Sequence, residues 1–595
     1  MQLSASPSHS ALDNGFDYPQ ESILTKTLGL EKSRFSELIG PGGEHDWQLL
    51  RQFYSHDYTQ KAAESGNAPG PKARGSAGAR KVHEYAFFQM TPDAVISQSS
   101  GKEINNEINV EDVERLVHPH GPTLIKLYFR IVHPSFPILH KGVFIEKYNR
   151  TYHEITPHLL AAVYALAIRW WSYDPDLLLL EKLNEAALVK IAHRAVQDAM
   201  HRPRLNTIQA GLLLLQRQRN PLSTDNSWMW SFTSSLIGLG QHLGLHLNCS
   251  DWNIPEWEKG LRKRLAWALF IQDTFSALIL GRPCIISDTD WIVEPLQPRD
   301  FSEGFRDEEY SDQIASVSIE NGKILFIELV KLARITARML RQLYSLRSLA
   351  EVAEPQQVLA IAKPLGNDLS TLLKSLPDDL RMDNLQPGKL CVNGFLHLAL
   401  HATTAALHRR LLWSMRRSSV DMDTQFVQFV REMLQTRARG LVQFVSHLRP
   451  EHMEAFWFFA AGGCGTILGS FLGLLRVTSV TTEESHEVQA LMTEFEWQLR
   501  MKAKMGEWVS YTLTRLRALG WDRWKMSGPN LMANVVSSSR TNESDNEQFN
   551  QTVDGNMSPL FPYEEVSDTP TDLSNIMTSK LDGLDAFSCD SPKYT

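Results

Sequence analysis

Between residues 110 and 344 the apolar positions recur at spacings of three and four, the pattern of helices that each bury one face. Proline-rich breaks punctuate the pattern at HPHGP (118–122) and HPSFP (133–137). In the second, Pro134 and Pro137 push their preceding residues into extended backbone, so Phe136 and Ile138 are expected to plug the joint between two helices. A polar insert over 294–321 leads to a long helix at 324–346, and further helical runs follow near 355–376, 392–417, 424–448, 455–475 and 484–519. No strand-like alternation competes and no repeat of fixed period is present, so the expected fold class is all-α, a multi-helix array.

The flanks break this pattern. Residues 1–23 are rich in Ser and are expected to be disordered. A short helical segment is expected within 24–58, from LTKTLGLEKSRFSELIG to the break Gly40-Pro41-Gly42-Gly43. Residues 59–109, Ala-, Gly-, Pro- and Ser-rich at their start, read as a linker. The helical body divides into a region over 110–346 and a C-terminal helical region over 347–528, followed by an acidic tail over 529–595.

One stretch, 254–295, carries a complete set of helix signals. Pro255 suits the first helical position, Glu256 and Glu258 bring negative charge to the first turn, and Glu258 stands one turn before Arg262. Leu261, Leu265, Ala268, Leu269 and Phe275 follow one face, and Trp267, Phe270 and Ile271 widen the apolar surface until most of the helix should be buried. Gly281 offers a left-handed cap and Pro283 cannot continue the helix, so the element should stop at Gly-Arg-Pro after roughly 25 residues.

The order of residues here, an arginine-rich turn, Leu-Ala-Trp, Asp273 six residues on, Gly281-Arg282-Pro283 and an extended segment with Asp290, resembles the middle homology region of fungal zinc-cluster transcription factors. The resemblance extends to LIKLYFRIVHPSFPILHKGVFIEKY (124–148), to LNTIQAGLLLLQ (205–216) and to SWMWSFTSSLIGLGQHLGL after it, and covers residues 113–345. Residues 24–40 also resemble a segment these factors carry between zinc cluster and middle region, and the DW near 290 is most similar to nitrogen- and carbon-utilisation activators. One departure is Ala266, where the family commonly has Trp.

The resemblance implies a nuclear regulator of RNA polymerase II genes, with DNA, other transcription factors, co-activators and a small-molecule effector as partners. Its signature residues here are Pro134, Phe136, Pro137, Arg262, Arg264, Trp267, Asp273, Gly281, Arg282, Pro283 and Asp290. The charged ones have two readings, an effector pocket or regulatory interface, and a structural set that pairs and caps buried helices. The second is favoured, because Arg satisfies several acceptors at once and Arg282 is placed to bond the last carbonyls of the preceding helix.

Charge and cysteine usage bound the function further. The net charge is −8, and the tail from residue 529 alone holds about 11 acidic and 3 basic residues, so the body is nearly neutral and lacks the basic footprint of a DNA-binding surface. Cys249, Cys284, Cys391, Cys464 and Cys589 form no C-x2-C pair, whereas a binuclear zinc cluster needs six closely spaced thiolates. No cofactor is expected in this sequence, and zinc only with an upstream cysteine cluster. The expectation is a fragment, an incomplete gene model, or a regulator tethered by a DNA-bound partner. The first residues hold no signal-peptide pattern, and the uncharged stretch 455–475 reads as bundle core rather than a membrane span, its glycines permitting close helix contacts.

Other constellations resolve to bland readings. His397, His401 and His408 share one helical face, and the alternative function is a helical small-molecule-binding protein or metalloenzyme using them; Leu, Ala and Thr between them and Arg409 and Arg410 beside them argue against metal. His242 and His246 lack the Glu of a hydrolase helix, and Gly238, Gly240 and Gly244 sit in a helical pattern where they admit a neighbouring helix. No nucleophile elbow or phosphate loop is present, so no enzymatic activity is expected. Lys72, Arg74, Arg80 and Lys81 read as a nuclear-import signal or a solvated linker. In the tail, PLFPYEEV and LDGLDAF interleave acids with bulky residues, the composition of an activation segment or of a plain solvated end.

Overall fold

The structure is a computed structural model, and it describes residues 27–30, 34–39, 78–83, 86–92, 108–217, 226–302, 316–351, 354–386, 388–417 and 424–527. The expected disordered N-terminus, the Gly40–Gly43 break, Lys72, Arg74 and the acidic tail lie outside these residues. Among the described residues the chain forms eighteen helices and one small sheet.

The sheet corrects the sequence reading. Arg34–Ile39 (β1), Gly78–His83 (β2) and Ala86–Pro92 (β3) make an antiparallel sheet in the order β1-β3-β2. The segment expected to be helical therefore contributes a strand, and residues 78–83 and 86–92 within the expected linker pair as two antiparallel strands. In β1, Arg34 pairs with Pro92 and Ile39 with Phe87, about fifty residues away in sequence. Phe87 and Phe88 of β3 are fully buried, and pairing with them overrides the weak helical preference of a six-residue run.

The helical body begins with Val110–Val117 (α1), Gly121–Leu127 (α2), Lys141–Arg150 (α3), Pro157–Ala167 (α4), Glu185–Ala199 (α5), Leu205–Leu215 (α6) and Asn226–His242 (α7). The signature helix Glu256–Leu280 (α8) and Ile319–Tyr344 (α9) follow, then the short Leu346–Glu351 (α10) and Pro355–Lys374 (α11). The C-terminal helices are Gly394–Arg417 (α12), Thr424–His447 (α13), Pro450–Met453 (α14), Ala461–Val477 (α15), Thr482–Lys502 (α16), Glu507–Leu519 (α17) and Trp521–Met526 (α18). Helix α4 packs on α5 and α6, α8 lies against α7 and α9, and α15 lies against α12, α16 and α17. One continuous apolar cluster runs from Val110 to Trp521 and joins both halves of the helical body.

Local chemistry explains the boundaries. Gly281 ends α8 in the left-handed region (φ 63°, ψ 42°), as its position after the last apolar residue predicts. Pro255 is the residue before the helix rather than its first member. Helix α9 starts at Ile319, where the Ser318 side chain accepts from the Asn321 N–H, five residues earlier than expected. The expected run 484–519 breaks into two at Gly506, the residue that caps α17. The expected helix from 455 begins only at Ala461, because residues 455–460 are an irregular, fully buried aromatic peptide.

No described helix is long and apolar enough to cross a membrane. Helix α15 instead uses its glycines for packing. A Cβ on Gly462, Gly465 or Gly469 would fall 2.5, 2.4 and 2.5 Å from Tyr511, Thr512 and Leu516 of α17, so that face admits α17 only without side chains.

Candidate functional site

Helix α8 is buried from Gly260 to Leu278, including Arg262, Lys263, Arg264, Gln272 and Asp273. Charged groups in a buried helix must be paired or hydrogen-bonded, and each pairing here reaches a different segment of the chain. Glu258, fully buried, accepts from Arg262 Nε at 3.0 Å, from the Thr27 hydroxyl at 2.6 Å, and from the N–H groups of Leu28 and Gly29 at 2.9 and 3.1 Å. Arg262 also donates to the Leu243 carbonyl, and its guanidinium lies 5.5 Å from the Trp252 ring. Lys263 pairs with Glu294 at 2.9 Å and Asp300 at 3.6 Å. The Ser250 hydroxyl and Lys263 together hold the Glu294 carboxyl down at about 2. Arg264 donates to the Leu139 carbonyl, beside the Pro-rich joint, and sits over Phe301.

Further along α8, Trp267 donates its indole N–H to the Glu294 carbonyl at 2.9 Å, fixing the extended segment after the signature. Asp273 accepts the N–H groups of Ile285 and Ile286, at 3.0 and 2.9 Å to the same oxygen, and thereby folds the chain back after Gly-Arg-Pro. Burial pushes its carboxyl up to about 6 although those two amides pull the other way. The Arg282 backbone N–H takes the Ala277 carbonyl at 3.0 Å, while the Arg282 and Pro283 side chains are exposed. It is thus the main chain of Arg282, not its guanidinium, that bonds the helix end. Asp290 is exposed in a short turn and accepts from Thr289. Ala266 is completely buried.

The Pro134-Phe136-Pro137 joint precedes Leu139, the residue whose carbonyl Arg264 bonds. Phe136 is stacked on Phe456 and meets Phe326 and Phe458 edge-on, while Phe458 stacks on Phe395. Phe136 therefore fills the junction between the two halves of the helical body. The Pro134 carbonyl faces Gly322 of α9, where a Cβ would stand 2.1 Å away.

The structure thus brings Arg262, Arg264, Trp267 and Asp273 together along one helix and leaves Arg282 and Asp290 at its exposed edge. Sequence reasoning missed the seating of residues 27–29 on Glu258, the role of Lys263 and Glu294, and a buried amide chain in which Gln216 donates to Gln272 and accepts from Phe459 N–H. Glu258 in the first turn, one turn before Arg262, was legible as half of an ion pair, but nothing local marked residues 27–29 as its further partners.

The other constellations are structural in their contacts. His397 Nε2 lies 2.9 Å from the Leu380 carbonyl, and His401 packs 4.9 Å from the Phe444 ring. Among the described residues no group of three or more His, Cys, Asp or Glu could hold a metal ion. Gly240 admits Leu269 of α8 at 2.7 Å from a would-be Cβ, whereas Gly238 faces open space, contrary to expectation. Arg80 and Lys81 lie in β2 rather than a linker, and Arg80 bonds the Thr27 and Asn253 carbonyls.

Residues 125–370, from within α2 to near the end of α11, match the family model of the fungal specific transcription factor domain. The match falls on the region whose residue order resembles the middle homology region of fungal zinc-cluster transcription factors. The chain is 34 % identical over 472 residues to the transcriptional activator protein DAL81 of Saccharomyces cerevisiae, covering 74 % of this chain and 47 % of that protein. It is also 30 % identical over 230 residues to cutinase transcription factor 1 alpha of Fusarium vanettenii, 38 % of this chain and 24 % of the relative. An uncharacterized transcriptional regulatory protein of Schizosaccharomyces pombe is 32 % identical over 231 residues, 38 % of this chain and 33 % of its own. The chain thus spans less than half the length of these relatives. No solved structure matches it.

Proposed function

We propose that this chain is a nuclear transcription regulator, an activator of metabolic RNA polymerase II genes, and not an enzyme. Its helical body serves as the regulatory region and its acidic tail as the segment that recruits co-activators. The observation that carries the reading is the match of 472 residues to an activator, a span that takes in most of the helical body and not the family domain alone. DNA is reached through a zinc cluster, the one place where zinc enters, or through a partner transcription factor. A small-molecule effector acts on the helical body. The signature residues act as its frame: Arg262, Arg264, Trp267 and Asp273 each tie α8 to a separate segment, so a displacement in one reaches the others.

The test is a reporter assay in a fungal host, with the chain fused to a heterologous DNA-binding domain. Reporter expression above that of the DNA-binding domain alone, reduced on deleting residues 529–595, supports the reading. Expression equal to the control, with the fusion intact in the nucleus, overturns it.

A further inference from the structure

The sheet and residues 27–30 sit on the helical body through an apolar cluster of their own. Leu28, Val82, Phe88 and Met90 meet Cys249 and Trp252 there, separate from the continuous core that runs from Val110 to Trp521. A small cluster of this kind opens at lower cost than a continuous core, and of that core the strap covers only Leu205, beside Gly29, and the margin that Leu30 touches. Three polar contacts of the strap converge on one carboxylate. Thr27 hydroxyl, Leu28 N–H and Gly29 N–H all donate to the Glu258 carboxylate, whose other partner is Arg262. The strap is steered at both ends, by Arg80 on the Thr27 carbonyl and by Lys147 on the Leu30 carbonyl. At Gly29 the approach is so close that a Cβ would fall 2.7 Å from Leu205 and 3.0 Å from Arg262. The floor thus reads a hydroxyl, two successive amides and a missing side chain.

We propose that the surface formed by Glu258 and Arg262 of the signature helix together with Leu205 of α6 and Trp252 of the loop before α8 is a docking surface for an extended peptide segment, occupied in cis by residues 27–30 and open to a partner segment of the same chemistry when they lift. The chemistry of that partner is set by the present occupant. It offers a Thr or Ser hydroxyl to the carboxylate, donates the next two backbone N–H groups, and carries glycine at the second residue after the hydroxyl. Arg and Trp side by side with a desolvated acid have the make-up of the energetic centre of a protein interface. When the strap leaves, water solvates the Glu258–Arg262 pair, so the open state does not strand a charge in an apolar core.

The test uses the full chain and three forms of it. In Gly29→Ala the added methyl group meets Leu205 and Arg262 and unseats the strap while Glu258 itself is retained; in Thr27→Val only one of the strap's three donors to Glu258 is lost. Hydrogen exchange at the Leu28 and Gly29 amides should quicken in the order wild type, Thr27→Val, Gly29→Ala, the last by roughly tenfold or more, with exchange in α4 and α15 unchanged. A labelled peptide of residues 24–32 should bind the Gly29→Ala chain saturably and roughly tenfold more tightly than the wild-type chain, where the strap competes in cis. The same peptide carrying Gly29→Ala should fail to compete. Unchanged exchange in Gly29→Ala overturns the detachable strap. Faster exchange without peptide binding, or binding that is indifferent to the peptide's Gly and Thr, overturns the docking surface.

Discussion

Asp273 shows how one side chain carries both structure and pH dependence. Its carboxyl titrates near 6 because burial outweighs the Ile285 and Ile286 amides that favour its charged form. A carboxyl raised in the folded state binds its proton more tightly there than when unfolded. Its contribution therefore grows more favourable as pH falls from 6 toward 4 and is constant above that window. Asp273→Asn keeps an acceptor for the two amides and removes the titration. Urea unfolding at pH 5 and pH 7 should show wild type gaining on the variant at pH 5 by about 1–2 kcal/mol. Gly322 is decided by a different contact, the Pro134 carbonyl 2.1 Å from where a Cβ would stand. Backbone on both sides leaves no flexible group to yield, so Gly322→Ala should destabilise the chain by about 2 kcal/mol or more, read as a lowered urea midpoint. Gly281 was legible in the sequence because its role is local; Gly322 was not, because its partner lies almost two hundred residues away.

Among the elements, those defined by their own capping and periodicity matched expectation closely. Helix α8 runs the anticipated 25 residues, from Glu256 to the left-handed Gly281. The elements that failed expectation depend on distant partners. β1 is a strand because β3 pairs with it, and residues 455–460 leave the helix because Phe456 and Phe458 pack on Phe136 and Phe395. That aromatic joint gives the sharpest element-scale prediction. Phe136→Ala should cost about 3–5 kcal/mol, and Phe136→Leu clearly less, because the cavity rather than the loss of stacking dominates. Since the joint couples both halves of the helical body, the Phe136→Ala chain should also lose protection from hydrogen exchange in α6 and α15 together. Loss confined to α2 would show that the halves are not coupled there.

Over the whole molecule, burial of neutral histidines sets the response to acid. His158 and His452 are held down at about 4, and His401 and His408 at about 3, in each case first by burial. A histidine lowered in the folded state is protonated first when unfolded, so stability falls as pH drops below 6.5 toward those values. Each group contributes roughly 1 kcal/mol per pH unit within that window, against the opposite contributions of Asp273 and Glu114, whose carboxyls burial raises. Thermal melts should therefore show Tm declining as pH falls from 6.5, a decline that begins well above the range where ordinary carboxylates protonate. Replacing His401 by Phe, which keeps the packing on Phe444, should shallow that decline; an unchanged slope would exclude His401 as a contributor.

By itself the sequence determined the helical class, the limits of the signature helix and the family resemblance, because periodicity, caps and a motif order are written within a few turns of chain. It also supplied the correct chemistry for Glu258 with Arg262, a pair one turn apart. Only the tertiary structure decided that Thr27, Leu28 and Gly29 complete that pair, that Lys263 answers Glu294, and that Phe136 closes the seam with the C-terminal helices. These contacts join segments tens to hundreds of residues apart, and a buried charge or ring takes its partner from whatever the packing brings beside it.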